Sequence, residues 1–295
     1  MNAPDPLQQA SCWPQWLDDC RIDDDALAQA YDSTPLPLRA AVKQCMALCH
    51  AVYGEGASAD SHTVTDAALG FWHSHSRQPA PWALLIISPA YAAAARMAAA
   101  LMPAILARVP RIGAVCVGGM PSLAARLTLE LTGVEDSFIV SDDELDALLQ
   151  SMSKSGAGRV LLLHAGELAH SASMVHKAGI ACFEECRPPL LLAAQGCTLD
   201  PAVLEFAHGA NCPLVAHNAA SPHSHPQPPV RTAYYYAAAP SQPPLPHSLV
   251  LAQGMEGCWL HAGLSRAFFS NENFVAGLLE HDSSLFGGGK HEGAE

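Results

Sequence analysis

The stretch whose reading decides the fold runs from Trp82 to Val140: WALLIISPAYAAAARMAAALMPAILARVPRIGAVCVGGMPSLAARLTLELTGVEDSFIV. Three short apolar runs, WALLIIS (82–88), RIGAVCVGG (111–119) and SFIV (137–140), alternate with two longer segments of helical composition. Pro121 opens the second of these segments and Gly133 closes it, the usual asymmetry of helix ends. Apolar runs of four to seven residues separated by helices are the signature of βαβ units, whose parallel strands are buried on both faces.

The alternation continues downstream. Ser141 is an N-cap for SDDELDALLQSM, with acids in the first turn. RVLLLHAG (159–166), IACF (180–183) and PLLLAA (189–194) are further runs, ELAHSASMVHKAG (167–179) is helical, and Asp200 caps PAVLEFAHG. Residues 81–210 therefore read as a Rossmann-like α/β core, a mostly parallel sheet with flanking helices. Such sheets bind ligands at the carboxyl ends of their strands.

Residues 1–80 read as an N-terminal helical segment. DDDALAQAY and LPLRAAVKQCMALCHAVYG have apolar positions at helical spacing, and the linker GEGASADSH follows. Residues 211–295 read as a loop-rich segment packing on the core. SPHSHPQPP and APSQPPLPHS are proline-rich loops, VRTAYYYAAA and HSLVLAQ short strands, LSRAFFSNENFVAGLLE is expected to end in a helix, and the tail from about residue 286 is expected to be disordered.

Half of the 295 residues are hydrophobic and only 15% are charged, the balance of a packed globular chain. Fifteen basic against 28 acidic residues leave a net charge of −13, which argues against a nucleic-acid partner. The most apolar segment, 91–109, is interrupted by Arg96, Pro103 and Arg108, so it reads as a buried core helix and no membrane span is expected. The N-terminus has no basic start or apolar h-region, and the expected compartment is the cytoplasm. There the ten cysteines are expected to be mostly free thiols; Cys45 and Cys49, and Cys182 and Cys186, stand four apart, and no CxxC occurs.

Several residues are candidates for chemistry. Gly118-Gly119 ends an apolar run before a helix, so its backbone can approach a ligand, or it is simply a tight βα turn. Cys116 and Cys197 also end apolar runs, as thiol nucleophiles or as buried, inert side chains. Glu205 and His208 are three apart on an expected helix and can face one point. His208, Cys212, His217, His223 and His225 make HGANCPLVAHNAASPHSHPQPP rich in metal-ligand types, against the plainer reading of a solvated loop.

Residues 82–210 resemble histidinol dehydrogenase, whose fold is like that of aldehyde dehydrogenases. MPAILARV, LTGVED and IVSDD stand where that family has phrases such as "AIPAKVAGV", "AGVDE" and "VGG". RVLLLHAGE stands at its "IVGPGN" and RPPLLLAAQGCTLDP at its "GPSEVLVIADETADP". The resemblance implies NAD and zinc as cofactors, a small-molecule substrate and an intertwined homodimer. It puts Glu144 and Glu167 at the family's NAD-binding positions, and Glu205 and His208 at its Gln-x-x-His zinc pair. Glu256-Gly257 with His261-Ala262 is similar to "EGLxxHA", which makes His261 a third ligand; a competing match places SRAFFSNENFVAGLLE on an earlier "ARFSSxLxVxDFL".

Most functional residues of the family do not carry over. Its NAD-contacting tyrosine falls on Ile87, the serine and glutamate of "GPSE" on Pro188 and Pro189, and Glu280-His281 lacks the context of the catalytic "APEHLEL". The chain is also shorter than a full family member. The expected function is a divergent, non-catalytic or small-ligand-binding module with an unidentified protein partner. The alternative is an NAD(P)-dependent, zinc-assisted oxidoreductase with a rebuilt site, acting on an amino alcohol or aldehyde.

Overall fold

The apolar runs become strands and the alanine-rich segment becomes the helix at the centre of the molecule. The structure is a computed structural model that describes residues 13–56, 59–217, 232–237 and 249–279. Two helices lead, α1 (Asp24–Ser33) and α2 (Leu36–Tyr53), with Asp23 capping the first through the Asp25 backbone N–H. The antiparallel hairpin β1 (Asp60–Asp66) and β2 (Phe71–Pro79) follows. Then come β3 (Ala83–Ile87), α3 (Ala94–Leu106), β4 (Ile112–Val117), α4 (Leu123–Thr132), β5 (Asp136–Val140), α5 (Asp142–Met152), β6 (Arg159–Leu163), α6 (Ala169–Lys177) and β7 (Ala181–Glu185). The rest of the described chain is β8 (Leu190–Ala194), α7 (Pro201–His208), β9 (Leu214–His217), β10 (Thr232–Tyr236), β11 (Leu249–Ala252) and β12 (Ser270–Leu278).

Three sheets result. The first is parallel throughout, in the order β5-β4-β3-β6-β7. Its strand order reverses between β3 and β6, as in a doubly wound fold. The second is also parallel, in the order β11-β10-β8-β9. The third is an antiparallel arm, β1-β2-β12.

Strand β3 shows why its sequence is continuously apolar. Ala83, Leu85 and Ile87 pack into one buried cluster, Trp82, Leu84 and Ile86 into another on the opposite face. Gly158, just before β6, is needed for packing: a Cβ there would lie 2.0 Å from the Trp82 ring.

Helix α3 is buried from Ala94 to Ala104 and separates the two parallel sheets. Met97, Ala100, Leu101 and Ala104 pack with Leu85 and Ile87 of the first sheet. Ala95, Ala99 and Met102 pack with Leu191, Tyr235 and Leu251 of the second. Ala94 and Ala98 meet Val42 of α2 and Leu127 of α4. Alanine on every side lets the surrounding elements approach closely. Removing a methionine or leucine side chain from such a site costs about 2–5 kcal/mol. Among the described residues no helix is long and apolar enough to cross a membrane.

Two expectations change. The helical segment ends at Tyr53, and the linker with the residues after it forms the β1–β2 hairpin. SNENFVAGL, expected to lead into a helix, is strand β12, paired to β2 with Phe274 opposite His75. β1 takes its hydrogen bonds from its hairpin neighbour β2, and β12 from the same strand far away in sequence, so strand pairing overrides local preference in both places. Arg159 seats β12 by donating from Nη2 to the Ser270 carbonyl and to Asn271 Oδ1, both at 2.8 Å.

Candidate functional site

A cluster of buried ionic groups forms around the first turn of α3, between the two parallel sheets. Arg96, on the first turn of α3, is 4% exposed. Its Nη2 pairs with Glu185 Oε1 at the end of β7, and its Nη1 donates to the His208 carbonyl at 3.0 Å. Tyr91 donates from Oη to the same Glu185 oxygen at 3.1 Å. The other Glu185 oxygen is 3.2 Å from His261 Nδ1. One carboxylate of the first sheet is thus tied to α3 and to the segment that follows β11.

Burial works to raise the Glu185 pKa. The charges and hydrogen bonds of His261 and Arg96 outweigh it and hold the carboxyl down at about 2. His261 donates from Nε2 to the Arg96 carbonyl at 2.7 Å, and the Trp259 indole N–H lies 3.2 Å from its Nδ1. Both of its ring nitrogens are therefore engaged.

His208, the last residue of α7, has its Nε2 2.9 Å from the Glu256 carbonyl and 3.1 Å from Tyr235 Oη. Its Nδ1 is buried with no hydrogen-bond partner among the described residues. Burial lowers its pKa to about 4, so the ring is neutral at neutral pH. Glu205, one turn earlier, is on the exposed side of the helix.

The set Glu205, His208 and His261 accordingly does not converge. Among the described residues no group of three or more His, Cys, Asp or Glu side chains is placed to hold a metal ion. The free lone pair of His208 Nδ1 is the one feature that suits zinc. Zinc needs three or four such donors at about 2.0–2.3 Å, and the residues present do not fit it. His223, His225 and the Glu280-His281 pair lie outside the described residues.

The dinucleotide candidates sit at the carboxyl edge of the first sheet. Gly118 and Gly119 form the turn after β4 with φ of +91° and +158°; a Cβ on Gly118 would meet nothing within 4 Å, so that glycine serves backbone conformation. The Gly118 N–H is taken by the Val140 carbonyl at 2.8 Å. Glu144 closes a capping box with Ser141 at the start of α5, accepting from the Ser141 N–H at 2.7 Å and from its Oγ at 2.8 Å.

Glu167 spans the crevice where the strand order reverses. It accepts from Ser88 Oγ at 2.6 Å and from the Ala165 N–H at 2.8 Å. These hydrogen bonds lower its pKa against the effect of burial, so a fixed negative charge stands in that crevice. A pyrophosphate is repelled there, and these residues do not fit NAD bound in that crevice. Burial pushes the Cys116 thiol up to about 12, and burial and Glu256 raise that of Cys197, which leaves both poor nucleophiles.

Sequence reasoning missed Tyr91, Arg96, Glu185 and His164. The last is buried, with its Nε2 3.0 Å from Glu184 Oε1 and its Nδ1 accepting from the Gly166 N–H. The available signals were an arginine inside an alanine-rich buried helix and two glutamates closing a short strand, since buried charges require partners.

No protein-family model matches the chain, and no curated protein matches it significantly. Solved structures do. Histidinol dehydrogenase from Elizabethkingia anophelis aligns with a TM-score of 0.56 at 11% identity, over 89% of this chain and 78% of that one. Succinate-semialdehyde dehydrogenase from Burkholderia pseudomallei gives 0.37 at 14% identity, over 72% and 44%. An aldehyde dehydrogenase from Brucella melitensis biovar abortus gives 0.35 at 16% identity, over 67% and 39%. The first alignment reaches well beyond the 82–210 segment that carries the resemblance in sequence. The chain is a divergent polypeptide with the histidinol dehydrogenase fold.

Proposed function

We propose that the chain is a non-catalytic, small-ligand-binding module on this fold. The observation that carries the reading is the buried Arg96–Glu185 ion pair, whose carboxylate stands at His261 Nδ1 while the Arg96 backbone carbonyl accepts from His261 Nε2. Oxidising an alcohol with NAD requires a base for the hydroxyl proton, a group to orient the alcohol and a bound nicotinamide. The candidates for those roles are occupied: Glu144 caps a helix, Glu167 is tied to Ser88, and Glu205 faces outward.

The ligand site in this reading is the groove of about 790 Å³ at the carboxyl ends of β8 and β11, closed on one side by α2. Gln44, Thr198, Asp200, Gln253 and Glu256 supply its polar lining. Parallel sheets bind ligands at that edge; Asp200 caps α7 and Glu256 accepts from the Gly254 N–H, each through one carboxylate oxygen, and the negative charge of the two suits a neutral or cationic polar molecule. The groove adjoins the ionic junction through Glu256, whose backbone carbonyl holds His208.

The alternative is a zinc-assisted, NAD(P)-dependent oxidoreductase with a rebuilt site. The unpartnered Nδ1 of buried His208 is the observation in its favour. Metal analysis of untagged protein by inductively coupled plasma mass spectrometry, together with an NAD-dependent histidinol oxidation assay, decides between the two. The module reading expects neither stoichiometric metal nor turnover. About one zinc per chain, lost in His208→Ala, together with measurable NADH formation, overturns it.

We also propose a homodimer formed through the antiparallel arm. Phe274, Val275 and Leu278 of β12 are 67%, 53% and 83% exposed, and apolar exposure of this extent along one strand suits a covered surface.

A further inference from the structure

We propose that β12 is a docking edge for β12 of a second copy of this chain, paired antiparallel about a two-fold axis at Val275, so that two three-stranded arms join into one sheet. This pairing rests on the homodimer reading above and specifies its contact. The strand order of the arm is β1-β2-β12, so β12 has a free edge among the described residues. In an antiparallel ladder alternate residues direct their backbone N–H and C=O to the neighbouring strand, and those between direct theirs away. The Ala80 N–H donates to the Phe269 carbonyl at 2.8 Å and the Leu279 N–H to the Gly70 carbonyl at 2.9 Å, which fixes the phase. The backbone groups of Asn271, Asn273, Val275 and Gly277 therefore serve β2, and those of Ser270, Glu272, Phe274, Ala276 and Leu278 point to the free edge. Arg159 Nη2 already takes the Ser270 carbonyl at 2.8 Å. Glu272, Phe274, Ala276 and Leu278 remain as the unpaired edge among the described residues.

These positions are self-complementary. With Val275 opposite Val275 of the second copy, Phe274 pairs with Ala276 and Glu272 with Leu278, in both directions. Every edge residue then meets another, for about eight hydrogen bonds, two to each pair. Ser270 stays outside the ladder and keeps its bond to Arg159. Phe274, Ala276 and Leu278 alternate along the strand and so share one face of the sheet. Pairing in this register sets the Phe274 and Leu278 side chains of the two copies in diagonal contact across the axis, where they cover one another.

Charge selects this edge over the other. Strand β1 has an aspartate at each end, Asp60 and Asp66. Pairing β1 with itself over its full length sets Asp60 against Asp66 of the second copy at both ends, and like charges directly opposite are destabilising. The one charged side chain of β12 is Glu272, to which Arg77 donates from Nε at 2.9 Å. In the proposed register it faces Leu278. Edge strands that stay single are guarded by lysine, proline or a bulge. Strand β12 contains neither lysine nor proline, and its register with β2 is unbroken from Ser270 to Leu278.

The test joins sedimentation equilibrium to cysteine cross-linking of the full-length chain. Cross-linking uses a Cys182→Ser/Cys186→Ser background, because those two thiols are exposed. Opposite residues of a non-hydrogen-bonded pair have Cα atoms about 4.5 Å apart, a separation that a disulfide spans. Val275→Cys is expected to give a covalent dimer under mild oxidation. Asn273→Cys, opposite Gly277 and roughly 13 Å along the strand from its own copy, is expected to give several-fold less. Ala276→Pro removes an outward N–H and no bond to β2, which an edge strand tolerates. It is expected to keep the wild-type circular dichroism and to associate at least about tenfold more weakly. If its circular dichroism changes, the two cysteine variants decide alone. A monomeric wild type overturns both the edge pairing and the homodimer reading. A dimer that survives Ala276→Pro but not Phe274→Ser with Leu278→Lys keeps the homodimer and overturns the edge pairing. Equal cross-linking of Asn273→Cys and Val275→Cys, or none by Val275→Cys, overturns it as well.

Discussion

Arg96 and Glu185 stand 89 positions apart in the chain and form an ion pair at the junction of the two parallel sheets, with side chains 5% and 11% exposed. Removing one partner leaves the other as an uncompensated buried charge, at a cost of about 3–5 kcal/mol. Arg96→Met and Glu185→Leu are each expected to lose stability on that scale in urea unfolding. The double variant is expected to lose less than the sum of the two. Additive losses would show that the groups are not coupled.

The buried histidine gives stability a pH dependence. The pKa of His208 is depressed from 6.5 to about 4 in the folded chain, chiefly by burial. Its contribution is fully present above pH 6.5, where the unfolded ring is also neutral. It is lost as pH falls from 6.5 towards 4, because the unfolded chain takes up the proton first. A loss on the order of 2–3 kcal/mol over that window is expected. His208→Gln is expected to flatten the profile; an unchanged profile would assign the dependence elsewhere. Glu185, held at about 2, adds a loss only at lower pH, as carboxylates of the unfolded chain protonate.

The capping box separates a structural from a ligand role for Glu144. Ser141→Ala is expected to cost about 1 kcal/mol, or about 2–4 °C in melting temperature. Glu144→Gln keeps the geometry and is expected to cost less. If Glu144 served a nucleotide instead, Glu144→Gln would change NAD binding in a fluorescence titration while leaving the melting temperature alone.

The arm predicts its own assembly. Phe274→Ser with Leu278→Lys removes apolar surface that is 67% and 83% exposed. Sedimentation equilibrium is expected to show a dimer for wild type and a monomer for the double variant. A monomeric wild type would sink the homodimer reading.

How far the sequence could be read differs from place to place. WALLIIS and RVLLLHAG are legible as strands because both faces of β3 and β6 are buried, so nearly every position is apolar. Ser141 and Glu144 are legible as a helix start because a capping box has fixed spacing. The arm was misread because β1 and β12 are largely exposed, so neither carries a period-two apolar pattern. The candidate site was only half legible: His208 and His261 could be singled out, whereas Arg96, Tyr91 and Glu185 form no motif in sequence.

The sequence by itself determined the α/β class, the order of the first sheet's strands along the chain and the buried central helix, because burial of whole elements writes itself into composition and spacing. Only the tertiary structure decided that Arg96, Glu185, His208 and His261 meet at one junction, and that Glu205 stays outside it. The partners of Arg96 lie 89, 112 and 165 positions away, and contacts across such separations are selected by how sheets and helices pack, which no local pattern encodes.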